Sequence, residues 1–156
     1  MKETIKNSPV GFYGERFFEA DYNYKRHIVQ IKDGLIYAYT KEPIAASSAP
    51  YYDGYLSQFT INEITDLFLS KITAIYKGNK YKVGSVSANG EGIELIGDYK
   101  DWIRDEKLGI VYDREFDVRH KIVSLAELDD VEFERHSIYQ EFKNQLEGKN
   151  EPELKV

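Results

Sequence analysis

Short β-branched and aromatic runs, separated by turn residues, constrain the fold of this chain more than any other feature of its sequence. The runs HIVQI at 27–31 and LIYAY at 35–39 are joined through Asp33 and Gly34. An Asp-Gly step between two such runs is a strong short-range signal for a β-hairpin. The sequence therefore predicts two antiparallel strands here, with the tight turn at Asp33 and Gly34.

A second hairpin is predicted from the same turn chemistry. Its runs, at 81–87 and 92–97, are joined through Asn89 and Gly90. Alternating or β-branched segments predict the other strands, at 10–22, 72–76, 110–113 and 117–123. The expected fold class is therefore α+β, a mainly antiparallel β-sheet with short helices.

Two capping-box patterns predict the helices. TINE at 60–63 precedes apolar residues at helical spacing, which predicts a short helix to about Ser70. SIYQ at 137–140 predicts a C-terminal helix over about 137–147, with Gly148 placed to end it.

Three segments lack a strand or long-helix pattern. Residues 42–57 contain two prolines and small residues, which predicts an exposed loop. Residues 98–109 are acidic and carry the only Trp of the chain, and they are compatible with a helical turn or a loop. Residues 149–156 are expected to fray.

The two halves of the chain resemble each other. The segment 60–67 matches 124–131 at a constant offset of 64 positions, and upstream Ala20 and Tyr22 match Ala74 and Tyr76 at an offset of 54. Two copies are too few for an open solenoid. We therefore predict one domain, 1–156, in which two pseudo-repeated hairpin-and-helix halves, about 10–70 and 71–135, share one core.

Composition narrows the class of function. The formal charge is −6, from 27 acidic and 21 basic residues, so the averaged field repels phosphate backbones and no nucleic-acid partner is expected. The chain has no cysteine, which favours a reducing compartment. It also shows neither a signal-peptide segment nor an apolar run of membrane-spanning length. We therefore expect a cytoplasmic protein without a membrane partner.

No catalytic or metal-binding motif is present. His27, His120 and His136 lie far apart without paired spacing, and Ser47 and Ser48 lack the glycine elbow of an activated serine. We therefore predict no cofactor, no metal and no catalytic residue. One alternative stays open, a small enzyme that uses carboxylate and Tyr residues in a cleft between the halves, since carboxylate pairs are recognised by spatial separation.

Aromatic residues are unusually frequent, with 13 Tyr, 8 Phe and one Trp. Two connections, 43–58 and 98–109, combine aromatic and acidic residues. Buried aromatics supply interface hot spots, while rim carboxylates steer a basic partner. These connections contain the residues predicted to bind a protein partner: Tyr51, Tyr52, Asp53, Tyr55, Asp98, Tyr99, Asp101, Trp102, Asp105 and Glu106.

The second half, YKGNKYKVGSVSANGEGIELIGD followed by KIVSLAELDDVEFER, resembles small β-rich modules of Gram-positive bacteria, some of which are similar to immunity proteins that accompany polymorphic toxins. That resemblance implies a cytoplasmic antidote without catalytic residues, which blocks the active site or substrate groove of a toxin. The acidic residues of the two connections add the expectation that this toxin has a basic surface. A phage or structural interaction subunit is a further alternative, and the sequence leaves the oligomeric state open.

Overall fold

The computed structural model describes residues 3–6 and 11–150, and about half of them lie in β-strands. The strands are β1 (Phe12–Tyr13), β2 (Arg16–Tyr22), β3 (Lys25–Lys32), β4 (Leu35–Thr40), β5 (Ala49–Tyr51), β6 (Gly54–Phe59), β7 (Asp66–Tyr76), β8 (Asn79–Val86), β9 (Ile93–Ile96), β10 (Val111–Asp113), β11 (Val118–Val123) and β12 (Asp130–Ser137). The α-helices are α1 (Glu3–Lys6), α2 (Trp102–Lys107) and α3 (Tyr139–Asn150). Single 3-10 turns cover Ile61–Glu63, Ala88–Gly90, Tyr99–Asp101 and Leu125–Glu127. The prediction of a mainly antiparallel sheet with short helices is confirmed.

The chain divides into two compact units. Unit 1 consists of Met1–Phe17 and Lys71–Glu134, and unit 2 consists of Phe18–Ser70 and Arg135–Val156. Strands β2, β7 and β12 each contribute residues to both units.

Unit 2 has the strand order β7-β2-β3-β4-β6-β5. The predicted β3–β4 hairpin is confirmed, with Lys32 opposite Leu35. Asp33 and Gly34 have φ of +53° and +79°, the positive values that two-residue hairpin turns need. Within the segment predicted as strand at 10–22, the structure has two strands, β1 and β2, and β1 pairs with β8.

The core of unit 2 lies between its sheet and α3. Its buried side chains include Val29, Ile36, Phe59 and Leu67. Ile138, which directly precedes α3, and the helix residues Phe142 and Leu146 pack against them. The helix was predicted to end at Gly148, but it continues to Asn150. The expectation that residues 149–156 fray falls mainly outside the described residues.

A buried ion pair lies in the same unit. Glu19 is fully buried and accepts hydrogen bonds from Ser70 Oγ at 2.6 Å and from Arg135 Nε at 2.8 Å. A carboxylate that is removed from water needs hydrogen-bond partners. The bonds from Arg135 and Ser70 therefore offset the cost of burying Glu19.

Unit 1 has the strand order β12-β7-β8-β9-β11-β10, and β1 pairs with β8. The second predicted hairpin is confirmed as β8 and β9, and the strands predicted at 110–113 and 117–123 are β10 and β11. Its core is formed by buried apolar side chains: Tyr81, Val83, Ile93, Leu95, Ile110, Val123 and Val131.

The helix predicted to Ser70 is wrong. The capping box itself forms between Thr60 and Glu63, because Glu63 Oε1 accepts from Thr60 N at 3.0 Å and the Thr60 side chain accepts from the Glu63 backbone N–H. Ile64 is nevertheless extended, with φ −107° and ψ 160°, and β7 begins at Asp66. Burial alternates along most of β7, so the sheet environment overrides the short helical spacing.

The exposed loop predicted over 42–57 is also wrong in its second part. Residues 49–51 and 54–59 form the β5–β6 hairpin, in which Tyr51 is opposite Gly54. Pro50 is tolerated within β5 because β5 is the edge strand of unit 2. The prolines and small residues therefore mark an edge hairpin instead of a long loop.

The offset of 64 reappears in local structure. The turns Ile61–Glu63 and Leu125–Glu127 both carry capping boxes, with N-caps Thr60 and Ser124 in the same extended conformation. Each turn follows a six-residue strand, β6 or β11, and precedes a longer one, β7 or β12.

Candidate functional site

One end of the unit 2 sheet gathers its exposed tyrosines. The β2–β3 turn at Asn23 and Tyr24, the end of β4 and the β5–β6 turn share this end, because Tyr22 is opposite Lys25 and Thr40 is opposite Tyr55 in antiparallel registers. We call the side chains of Tyr24, Tyr51 and Tyr52 the tyrosine end.

Two of these tyrosines occupy backbone conformations that tyrosine rarely adopts. Tyr24 has φ +66° and Tyr52 has φ +49°, the left-handed region that favours glycine and asparagine. Tyr24 is fully exposed and Tyr52 is 87% exposed. Burial therefore does not compensate for the backbone strain at either position.

The tyrosines around the β5–β6 turn hold one another in place. The Tyr51 ring packs edge-on against Tyr39 at 5.6 Å and against Tyr52 at 4.5 Å between ring centroids. These T-shaped arrangements are favourable for aromatic pairs. Asp53 is exposed and Tyr55 is partly buried. The predicted residues 51–55 thus lie together at one hairpin.

The predicted residues 98–106 lie in unit 1, on a 3-10 turn and α2 between β9 and β10. Tyr99 and Trp102 are exposed. The Arg119 guanidinium lies 5.8 Å from the Trp102 ring centroid, within the range of a cation–π contact. This segment is thus a helical turn, one of the two structures compatible with its sequence.

Most carboxylates of this segment are engaged within unit 1. Asp98 Oδ1 accepts from Lys100 N at 2.9 Å, and Asp101 lies 3.6 Å from Arg104. Glu106 is exposed. Asp98, Asp101 and Glu106 nevertheless remain exposed to solvent.

Asp105 is fully buried and therefore does not belong to an exposed contact surface. Its Oδ1 accepts from Tyr81 OH at 2.8 Å and from Arg104 Nη2 at 3.0 Å. Burial and the Asp105 hydrogen bond raise the pKa of Tyr81 to about 12. Asp105 therefore faces the interior from α2, where it binds Arg104 and Tyr81. The number of acidic residues in the sequence does not reveal which of them is buried.

The β10–β11 hairpin of unit 1 presents further exposed aromatics that sequence reasoning missed. Phe116 is 66% exposed and Tyr112 is half exposed. Tyr112 OH donates to Asp117 Oδ1 at 2.6 Å, and Asp113 Oδ1 accepts from Glu115 N at 2.9 Å. We call residues 112–117 the acidic hairpin, because internal hydrogen bonds hold its carboxylates around Phe116.

His120 supports this hairpin from β11. Its Nδ1 lies 2.6 Å from Glu94 Oε2 and its Nε2 lies 2.9 Å from Asp113 Oδ2. The hydrogen bond to Glu94, followed by that to Asp113, raises the pKa of His120. The His120 hydrogen bond lowers the pKa of Asp113. Both ring nitrogens are thus engaged by carboxylates, and these hydrogen bonds favour the protonated form of the His120 ring.

The internal repeat contains a signal from which Phe116 could have been predicted as a candidate contact residue. Phe116 lies 64 positions after Tyr52, and both residues stand in the turn before matching strands β6 and β11. His120, which sequence analysis set aside as isolated, gains its partners only when β9, β10 and β11 pair.

Comparisons with protein-family models, curated proteins and solved structures found no similar sequence or fold. Within residues 3–6 and 11–150, no group of three or more His, Asp or Glu is placed to bind a metal ion. Over the same residues, no helix combines the length and apolarity needed to cross a membrane.

Proposed function

We propose that this protein is a non-catalytic binding module that occludes a protein partner, and that the partner is a toxin for which it serves as the immunity protein. The observation that supports binding most directly is the tyrosine end, where exposed aromatic rings stand on left-handed turns. The toxin as partner rests on the resemblance of the second half to immunity-type modules.

The backbone strain at these turns supports a contact role. Glycine or asparagine at positions 24 and 52 would relieve a cost of about 1 kcal/mol per residue. Strained residues on a surface are typical of functional positions. Tyr and Trp are enriched in interface hot spots because they bury a large area at a small entropic cost. The tyrosine end therefore fits a pre-organised contact surface.

The charge of the chain favours a partner with a basic surface. The formal charge is −6, and the acidic hairpin surrounds exposed Phe116 with Asp113, Glu115 and Asp117. Rim carboxylates accelerate the encounter with a cationic protein, while the aromatic rings slow dissociation. The tyrosine end and the acidic hairpin are thus the two surfaces that we assign to the partner.

We also propose that the units are copies of one ancestral module. Unit 2 has the order β7-β2-β3-β4-β6-β5 and unit 1 has β12-β7-β8-β9-β11-β10. The two orders are the same if β2 to β7 of the first copy correspond to β7 to β12 of the second, so that β7 is the last strand of one copy and the first strand of the other. The offset of 64 between the two capping-box turns supports the same pairing. The extra length of the second copy then falls on α2.

The test is co-expression of the full chain with the proteins encoded beside its gene, followed by an inhibition assay on the toxic one. We expect a stoichiometric complex that withstands high salt, because aromatic burial is insensitive to screening. The double variant Tyr24→Ala/Tyr52→Ala should weaken binding about tenfold or more. Tyr13→Ala is the matched control, since Tyr13 is 91% exposed outside both surfaces.

Two results would contradict the proposal. One is the absence of any complex with a neighbouring gene product. The other is a complex that Tyr24→Ala/Tyr52→Ala and Tyr13→Ala affect equally, which would show that the tyrosine end is not the contact surface. Self-association of the chain alone in light scattering would instead favour the assembly-subunit alternative.

The enzyme alternative has less support. The pocket described in unit 1 is lined by a single carboxylate, that of Asp101, whereas the alternative requires a pair. His120 uses both ring nitrogens in hydrogen bonds to Glu94 and Asp113, so it does not offer a free base to a substrate.

A further inference from the structure

A pocket beside α2 in unit 1 has the size of a small-molecule site. Its volume is about 520 Å³, within the usual range of ligand pockets. It is lined by Asn79, Lys100, Asp101, Ile103, Arg104, Lys107 and Leu108. These residues come from the start of β8 and from the segment between β9 and β10, so one connection builds most of the pocket.

The charge of the lining is opposite to that of the chain. Lys100, Arg104 and Lys107 line the pocket together with only one carboxylate, Asp101, while the chain as a whole carries −6. The pocket is open and its charged lining side chains are exposed. Three cations around one surface attract an anion, so the lining favours a negatively charged ligand.

Arg104 is held in a fixed orientation. Its Nε and Nη2 donate to Asp105 Oδ1 at 3.1 and 3.0 Å, and its guanidinium lies 5.5 Å from the Tyr81 ring centroid. Asp105 is fully buried, and its Oδ2 has no hydrogen-bond partner among the residues that the structure describes. A buried carboxylate has a desolvation cost, and here it fixes one cation of the pocket.

The donors that remain on Arg104 suit an oxyanion. A guanidinium has five N–H groups, and within the described part of the chain no hydrogen bond engages its Nη1. A planar pair of N–H donors matches phosphate and carboxylate oxygens. The lysines Lys100 and Lys107 supply flexible point charges on either side of it in sequence.

The rest of the lining is apolar. Ile103 is more than half exposed although it is a large apolar residue, and Leu108 lines the same pocket. Burial of an apolar group against them is favourable. A ligand that matches both parts therefore carries an anionic head and an apolar body.

We propose that this pocket binds a phosphate monoester of a small organic molecule with an apolar body. A phosphate monoester carries about −1.5 to −2 charges at neutral pH. Because Arg104 is already paired with Asp105 and lies near Asp101, Lys100 and Lys107 supply the opposing charge, and Arg104 supplies hydrogen-bond donors. The apolar body lies against Ile103 and Leu108. This site is separate from the tyrosine end and the acidic hairpin, and it does not depend on the protein-binding proposal.

The experiment is a titration of the full chain with phenyl phosphate, followed by amide chemical shifts in NMR spectra. We expect shifts at Asn79, Arg104 and Leu108, and an affinity that falls as salt rises. The double variant Lys100→Gln/Lys107→Gln should weaken binding about tenfold or more. Lys80→Gln is the matched control, because Lys80 lies in the same unit but pairs with Glu132 outside the lining.

Three results would overturn the proposal. Shifts confined to residues away from the pocket would exclude this site, and equal affinity of Lys100→Gln/Lys107→Gln and Lys80→Gln would exclude the role of the lining cations. Inorganic phosphate binding as tightly as phenyl phosphate would exclude the apolar body. Unfolding midpoints of both variants, compared with the unmodified chain, establish that a loss of binding is not a loss of fold.

Discussion

Tyr24 illustrates how a single residue can lower stability without contributing to the core. It is fully exposed at φ +66° in the β2–β3 turn, directly after Asn23. Asn-Gly is the preferred sequence of such turns. A side chain that is strained and unburied gains no compensating contact in the folded state, which supports a role of Tyr24 in a contact at the surface.

We expect Tyr24→Gly to raise the free energy of unfolding by about 1 kcal/mol, because glycine adopts the left-handed region without steric cost. Urea denaturation followed by circular dichroism measures the change. Tyr13→Gly is the control, since Tyr13 is equally exposed but lies in β1, where glycine should lower stability by about 0.5–1 kcal/mol. Destabilisation by Tyr24→Gly would contradict the strain at this turn.

Arg135 is the residue whose loss should cost most in unit 2. Arg135→Ala leaves the buried Glu19 carboxylate without its cation, and breaking one partner of a buried ion pair costs about 3–5 kcal/mol. Thermal or urea unfolding measures the loss. Arg26→Ala removes an exposed ion pair with Asp21 and should cost about 1 kcal/mol or less. Equal losses from the two variants would contradict the burial of Glu19.

At the scale of elements, the two 3-10 turns that carry capping boxes occupy equivalent places between two strands. Thr60 and Ser124 each start a 3-10 turn that connects the strand beside one edge of a unit, β6 or β11, to the strand at the other end of its order, β7 or β12. The turns place Ile61 and Leu125 in the interior. Their hydroxyls and the Glu side chains three residues later satisfy backbone groups that no strand pairs.

We expect Thr60→Ala and Ser124→Ala to lower the free energy of unfolding by similar amounts, about 1 kcal/mol each. Ser47→Ala is the control, because Ser47 is exposed in the connection after β4 and its substitution should be close to neutral. Chemical denaturation of the three variants decides the point. A loss at only one of the two turns would show that the turns are not equivalent.

The acidic hairpin should depend on pH through His120. The raised pKa of His120 contributes stability that is complete below the ordinary histidine value of 6.5 and is lost as pH rises through the folded pKa. The lowered pKa of Asp113 contributes stability above the ordinary value of 3.8, which is lost as pH falls through its folded pKa. Both contributions to stability are therefore fully present between pH 3.8 and pH 6.5.

We therefore expect His120→Gln to destabilise the protein most in that window and progressively less above it. Unfolding measured as a function of pH tests this, and NMR titration of the ring gives the pKa of His120 directly. His27 is the internal control, since burial lowers its pKa. A titration of His120 below that of His27 would contradict the network of Glu94, His120 and Asp113.

At the scale of the whole molecule, charge governs colloidal behaviour. The sequence has an isoelectric point of about 5.2 and a formal charge of −6 at pH 7. Repulsion between copies vanishes near the isoelectric point. We expect solubility in ammonium sulfate to pass through a minimum near pH 5.2. A minimum displaced well toward neutral pH would show that bound ions or a ligand change the net charge.

The sequence by itself determined the local elements. Asp33-Gly34 marked a turn, β-branched runs marked strands, and the spacing of Thr60 and Glu63 marked a capping box, because each depends on residues within a few positions of one another. Net charge and the absence of cysteine followed from composition alone. The aromatic cluster at Tyr51 and Tyr52 was also visible, since its residues are adjacent in sequence.

Tertiary structure decided what those local signals became. The residues after Glu63 form a strand because partners in the sheet satisfy their backbone groups, and a sequence window contains no such partners. Asp105 was counted as surface charge, although Tyr81 and Arg104 hold it in the interior. His120, Glu94 and Asp113 became one network only through strand pairing. Contacts between residues distant in sequence depend on register and burial, and those are properties of the folded chain.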